Sequence, residues 1–445
     1  MVYICQMNKL VKVFLIVFLF ITLSCNKYSI CKKPNFHKNY ELILSDHHLP
    51  VISIVADSWD LFDDSLGIYV KGIGTGENWQ GEKANYFSGK KINMNMAYFI
   101  HGKNVLEQSG QLKVSGGGSR KQPQKSFNIS SEDKFNFKFF KNLPFEEYSN
   151  LRLRVSGQDF RKTHLRDALM HCLVSSTNID IQAYQPSVLY LNGVYWGIYN
   201  IREKFNTTYL KQHHNVTSVD ILEGNKKIIK GSVNDYDSLL KYVETHDLSQ
   251  SKNWSWIEQQ VDIYNFIDYY CAQIYFANTD WPGNNIKYWK DVNGKWRWFM
   301  HDTDLGFGFA SIWGHPGGIN HNTLLFALNE TSSNFKNKPW STFLFRNFLK
   351  NPTFKKLFIK QFHYHLDNTF APKKVVKLID SLALNLKPEM PRHINRWKNE
   401  AKYSLQSITD WEKELEILKD FARERPSIVK NHIDLYLNND SLRGS

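Results

Sequence analysis

Between Asn278 and Gly308 the chain reads NTDWPGNNIKYWKDVNGKWRWFMHDTDLGFG, and carboxylate and amide oxygens recur in it at short spacing. Asp280 comes first, Asn284 and Asn285 follow a Pro-Gly turn, and His301-Asp302-Thr303-Asp304 closes the stretch. These are hard donors, and Mg²⁺ takes one or two carboxylates together with the phosphates of a substrate. Acids and an amide divided by a hairpin therefore predict a metal-assisted cleft. A turn capped by Asp280 and a polar hairpin end would explain either half alone; both in this order favour the metal site. Asp302 and Asp304 stand two apart in an extended segment and so on one side of it, which leaves either as the main ligand.

Upstream, Gly116-Gly117-Gly118-Ser119-Arg120 follows the strand-like LKV. A glycine-rich turn lets backbone N–H groups approach phosphate oxygens, with Ser119 and Arg120 beside them. A hairpin corner needing positive φ would use the same glycines. Lys125 alternates with Phe127 and Ile129, so its amine shares a face with core residues. A charge there is costly unless it meets an anion, which predicts contact with phosphate. Asp167 either answers a helix dipole or steers Lys125. Glu203 ends a strand at a hinge, where it contacts a nucleotide's polar edge or caps the next helix.

Positioning these groups requires several elements. VISIVAD, LGIYVKGIGTG and KINMNMAYFIHGKNVLEQSGQLKVSGGG alternate between turn residues and predict a meander of strands. NLRLRVSGQDF continues as a strand, and Thr163 is placed to cap a helix over HLRDALMHCLVSS. PSVLYLNGVYWGIYNIRE predicts a hairpin turning at Asn192-Gly193, and a helix over FNTTYLKQHH follows it. Its polar neighbours make His213-His214 a solvated loop pair. Trp254 to Ala277 has helical spacing and delivers the chain to Asp280. A second hairpin, IKYWK and KWRWFM, turns at Asn293-Gly294. Beyond Gly308, helical patterns cover Trp340–Leu349, Thr353–Leu366, Lys373–Leu384 and Ile408–Phe421, the last ended or kinked by Pro426.

The chain has 445 residues, enough for two or three units. Hydrophobic residues at 42% and charged residues at 22% describe a globular protein and exclude a disordered one. A net charge of +13 favours anionic partners through its field alone, and no DNA- or RNA-binding signature sharpens it, so no specific nucleic acid is implied. Lys9 and Lys12 precede the apolar run Val13–Leu23, which ends in Ser24-Cys25. That is a secretory leader, too short for a transmembrane helix. It resembles a lipoprotein signal that would leave Cys25 lipidated and membrane-anchored; a cleaved leader without lipid is the alternative. Cys31, Cys172 and Cys271 lack metal-type spacing, so disulfides and zinc do not organise the chain. The expected division is 1–25 signal peptide, 26–104 tether and β-rich region, and 105–445 principal domain.

In protein kinases a loop aspartate positions the acceptor hydroxyl, an asparagine five residues on binds metal, and a later Asp before a Gly binds metal again. Asp280-x4-Asn285 and Asp304-Leu-Gly have that spacing. Together with GGGSRKQPQKSF, LRVSGQDF…LRDAL, YLNGVYWGIYNIREKF, NTDWPGNN, WFMHDTDLGFG and FARERPSIV, in this order over about residues 105 to 435, the chain resembles the spore-coat-H-type (CotH) atypical protein kinase family. The resemblance implies an α+β, kinase-like two-lobe fold, β-rich then helical, preceded by a short β-rich region. It implies that Lys125 contacts ATP phosphates, Asp280 is the catalytic-loop acid, and Asn285, Asp302 and Asp304 bind Mg²⁺ or Mn²⁺. The γ-phosphoryl group would pass to a protein Ser, Thr or Tyr hydroxyl. GGGSR departs from the GxGxxG of ordinary kinases, and no glutamate is evident to pair Lys125. Two other readings compete. One is an inactive surface lipoprotein whose Trp289, Trp296 and Trp298 stack on glycan or a partner protein. The other is a metal-dependent glycosyl or nucleotidyl transferase using Asp302 and Asp304.

Overall fold

The structure is a computed structural model that describes residues 46–309, 317–400 and 404–438. The leader, Cys25 and the tether as far as residue 45 lie outside the described residues. Strands concentrate in the N-terminal half and helices in the C-terminal half.

Seven strands close into a barrel: β1 (Val51–Ala56), β2 (Ile92–Ile100), β3 (Lys103–Ser115), β4 (Ser126–Asn136), β5 (Glu147–Arg154), β6 (Tyr184–Leu191) and β7 (Val194–Arg202). Their spatial order is β1-β2-β3-β4-β5-β7-β6, and closure comes from the parallel pairing of β1 with β6. β3 runs through residues 104 and 105, so strands on both sides of the expected division share one barrel. Alternation sorts the side chains. Met94, Met96, Leu112, Phe127, Ile129, Leu151, Leu153, Tyr199 and Ile201 turn inward to one apolar cluster, while Lys113, Asn128, Arg152 and Arg202 alternate with them on the outer face. Burial of these apolar faces is the main force holding the barrel closed.

LGIYVKGIGTG is not a strand. Its backbone N–H groups go to the carbonyls of the helical turn before it, Gly67 to Asp63 at 2.8 Å, Ile68 to Asp60 at 2.8 Å and Tyr69 to Leu61 at 2.9 Å. The β6–β7 hairpin forms as expected, with Asn192 and Gly193 both at positive φ. A second, four-stranded sheet has the order β11-β10-β8-β9, from β8 (Val219–Glu223), β9 (Lys227–Lys230), β10 (Lys287–Asp291) and β11 (Arg297–Phe299). Its aromatic residues face inward: Trp289, Trp296 and Trp298 are at most 3% exposed, which removes the stacking surface expected for glycan.

Twelve α-helices are described. They are α1 (Ser58–Phe62), α2 (Arg166–Leu173), α3 (Thr207–His214), α4 (Asn234–Thr245), α5 (Ser251–Gln260), α6 (Ile263–Tyr275), α7 (Thr323–Leu328), α8 (Phe343–Phe348), α9 (Pro352–Asp367), α10 (Pro372–Leu386), α11 (Met390–Trp397) and α12 (Ile408–Ile433). The single helix expected from Trp254 to Ala277 is two, because Asp262 caps a new start by accepting from Asn265 N. Thr163 does not cap α2; the Asp159 carboxylate instead accepts from the N–H groups of Thr163, Leu165 and Arg166. Pro426 lies inside α12, which continues to Ile433. The neighbouring Arg425 is fully buried and donates to the carbonyls of Ile274, Tyr275, Ile319 and His321, so tertiary bonds hold the helix past its proline. Among the described residues no helix is long and apolar enough to cross a membrane.

Candidate active site

α6 ends at Tyr275, and the next residues swing Asp280 out of the helical layer. Asp280 Oδ2 accepts from Asn285 Nδ2 at 2.8 Å and from Asn284 Nδ2 at 3.1 Å. The same Asn285 amide reaches the carbonyl of Asp302 at 3.3 Å, which ties the loop before the β10–β11 hairpin to the segment after it. Asn285 (φ 54°) and Asp302 (φ 52°) both hold left-handed backbone conformations, uncommon outside glycine. Such strain gathers where surrounding structure fixes a functional geometry.

Asp302 and Asp304 meet the outer face of the barrel through Arg154 at the end of β5. The Arg154 guanidinium pairs with Asp302 and lies 3.5 Å from both Asp304 and Asp167. Asp167, on α2, also contacts Arg202 at 3.1 Å and accepts from Thr303 N at 3.1 Å. It therefore neither steers Lys125 nor serves only the helix dipole. Burial would raise its pKa, but Arg154 and Arg202 outweigh burial and hold the carboxyl well below the usual range. Burial works against Asp302 as well, and Arg154 and His301 bring it below its ordinary value. Asp304 goes the other way, raised by burial and then by the charge of Asp302. Gln158 N donates to Asp304 Oδ2 at 2.6 Å. That approach needs Gly157, whose φ is 58° and where a Cβ would overlap the Asp304 carboxylate.

Lys125 does not join this group. Phe127 and Leu153 pair across β4 and β5 and point into the barrel, and Lys125 shares their parity. Its Nζ donates to the carbonyls of Arg120 at 2.7 Å and Gln122 at 2.8 Å. It also sits 4.3 Å from the Tyr86 ring centroid and 5.1 Å from that of Tyr69. Arg154 and Asp304 lie on the other face of the same strand pair, so the expected convergence of Lys125 with Asp304 is not met. The lysine on a core face takes carbonyl dipoles and π-faces as its partners rather than an anion. Arg120 is spent on its own loop, with Nε to the Gly116 carbonyl at 2.5 Å, and Ser119 lies in the same turn. That turn adjoins the acid site indirectly, through Arg161 donating to Gln122 Oε1 at 2.6 Å. Glu203 neither caps α3 nor faces Asp304; it pairs with His213 at 2.7 Å and accepts from Ala183 N. His213 and His214 are thus partnered rather than solvated, His214 by Asp180 at 2.8 Å.

Two residues at the site have no counterpart in the sequence reading. Arg154 was open to inference, because in NLRLRV the arginines alternate with core leucines and must face the other way. Lys336 was not. Its Nζ lies 3.0 Å from Asp280 Oδ1, and it arrives on an irregular loop whose residue 336 carbonyl accepts from Gly283 N. Among the described residues no three His, Cys, Asp or Glu side chains form a ready metal cage. By donor type the residues suit a magnesium-type ion: two carboxylates gathered by Arg154, next to the Asn285 amide, are the partial oxygen set that such an ion would complete with phosphate.

Residues 112–429 match the family model described as CotH kinase protein. The chain belongs to that family. None of the curated proteins matches it.

Proposed function

We propose that this family member is an atypical protein kinase with a kinase-like two-lobe arrangement, moving the γ-phosphoryl group of ATP to a Ser, Thr or Tyr hydroxyl of a protein. The observation that carries the reading is the Asn285 amide, which touches Asp280 on one side of the hairpin and Asp302 on the other. Phosphoryl transfer needs mostly positioning and charge neutralisation. Asn285, Asp302 and Asp304 would hold Mg²⁺ or Mn²⁺, which when bound supplies positive charge to the phosphate oxygens.

Asp280 receives the acceptor's proton as the hydroxyl oxygen bonds to phosphorus, and ADP leaves with the electron pair of the broken P–O bond. Asn284, Asn285 and Lys336 hold the Asp280 carboxylate in one orientation for that step. The apolar leader ending in Cys25 supports export and lipid anchoring at a bacterial cell envelope. The protein lacking that leader, incubated with labelled ATP and Mg²⁺ or Mn²⁺, is expected to transfer label. Asp280→Ala and Asp304→Ala are expected to lose transfer, and equal labelling by all three proteins would dispose of the kinase reading.

A further inference from the structure

With Lys125 turned into the barrel, the phosphates of a nucleotide need another cationic partner. We infer that the outer face of β3, β4, β5 and β7 is a polyphosphate-binding surface centred on Arg152, with Lys113 and Lys204 beside it. The inference rests on the kinase reading for its nucleotide, though not for its anion chemistry.

Register places the residues. Lys113 pairs with Asn128, Asn128 with Arg152, and Arg152 with Arg202, so these four form one row on one face of four strands. Arg154 is the next outward residue of β5, and it contacts Asp302 and Asp304. The row therefore runs up to the acids proposed to hold metal.

Charge along the row is not balanced. Arg154 and Arg202 have the nearby carboxylates of Asp167, Asp302 and Asp304. Among the described residues no carboxylate lies within ion-pair distance of Lys113, Arg152 or Lys204. Arg152 has one hydrogen-bond partner, Asn128 Oδ1 at 3.3 Å. Arg202, 1% exposed, has Nε and Nη1 without a hydrogen-bond acceptor, while its Nη2 lies 3.1 Å from Asp167 Oδ2. Burial depresses Lys204, and Arg152, Lys287 and Lys113 act on it in the same direction. A scattering of solvated surface lysines would not behave this way, because like charges packed into partial burial repel one another. A chain of phosphates carries several negative charges on one short ligand and would relieve that repulsion.

The test uses the protein without its leader, with Mg·ATP and metal-free inorganic tripolyphosphate as probes. Wild type is expected to bind tripolyphosphate in low salt and to lose it as salt rises. Arg152→Met and Lys204→Met are each expected to weaken both probes about tenfold, as loss of a charged hydrogen bond would. Lys125→Met is expected to keep wild-type affinity. Lys113→Gln, at a half-exposed position, gives a variant whose folding is not in question, and its affinity is expected to fall in the same way. Wild-type affinity for Mg·ATP in all three outer-face variants would overturn the inference and leave the kinase reading standing. Tripolyphosphate binding that needs these cations, without phosphoryl transfer from Mg·ATP, would uphold the inference and remove the kinase.

Discussion

The two faces of the β4–β5 pair handle charge in opposite ways. Inside, one lysine stands among aromatic and aliphatic residues, and its partners are two carbonyls and two rings. Outside, arginines and carboxylates crowd together: three acids share Arg154, while Arg152 has only an amide. A lone buried amine bonded within its own loop is part of the architecture. A crowded, incompletely matched group is where the proposed anion would be held. The difference warns against ranking candidate residues by burial alone, since Lys125 is as buried as Asp304.

The sharpest way to break this contrast is at Asp280. Asp280→Asn is expected to lower transfer by about 10²–10⁴-fold, the usual contribution of a general base, with little change in melting temperature. Gly157→Ala attacks the outer face through its backbone: a Cβ there must push Asp304 aside. Transfer is expected to fall more than tenfold, with a larger effect on turnover than on protein-substrate binding, measured by steady-state kinetics. On the inner face Phe127→Ala is expected to cost about 3–5 kcal/mol in denaturant unfolding, because it opens a cavity in the barrel core.

Lys125 allows a subtler comparison by pH. Burial pushes its amine down to about 7, whereas an unfolded chain keeps the ordinary value. Below pH 7 both states hold the proton and the native state bears the full cost of burying it. As pH rises from 7 toward 10.5 the native state releases the proton first, so stability should increase across that window, by a contribution on the order of a few kcal/mol. Lys125→Met is expected to lack this rise in unfolding measurements at pH 7 and pH 10. The smallest effect belongs to an exposed ion pair at the opposite end of the same two strands from Phe127 and Leu153. Lys134 and Glu147 form an exposed pair, and Lys134→Ala should change stability by less than about 1 kcal/mol.

Local chemistry made part of this legible in advance. Asn192-Gly193 marks its hairpin because few other dipeptides adopt the positive φ that both residues hold there. The hairpin expected at Asn293-Gly294 also forms, but neither residue is at positive φ and the turn closes instead through Gly294 N donating to the Asp291 carbonyl. Spacing singles out Asp280, Asn285, Asp302 and Asp304, and in the structure the Asn285 amide links Asp280 to the Asp302 carbonyl while Arg154 joins Asp302 to Asp304. Lys125 illustrates where pattern stops: alternation put it on the core face, but nothing in one sequence says which partner it meets there. Pro426 shows the same limit in reverse, since a local helix breaker is overridden by bonds from Arg425 to segments more than 100 residues away. Lys336 had no periodic context at all, and only three-dimensional folding connects it to Asp280.

Arg425 carries one more consequence. It grips the last carbonyls of α6, the helix from which the Asp280 loop hangs, and does so from near the far end of the described chain. Trimming away Arg425 in search of a smaller soluble version would therefore slacken the hinge of the Asp280 loop from a distance. A protein shortened that way is expected to keep its barrel and melt cooperatively, yet to hold Asp280 loosely for reasons invisible at Asp280 itself.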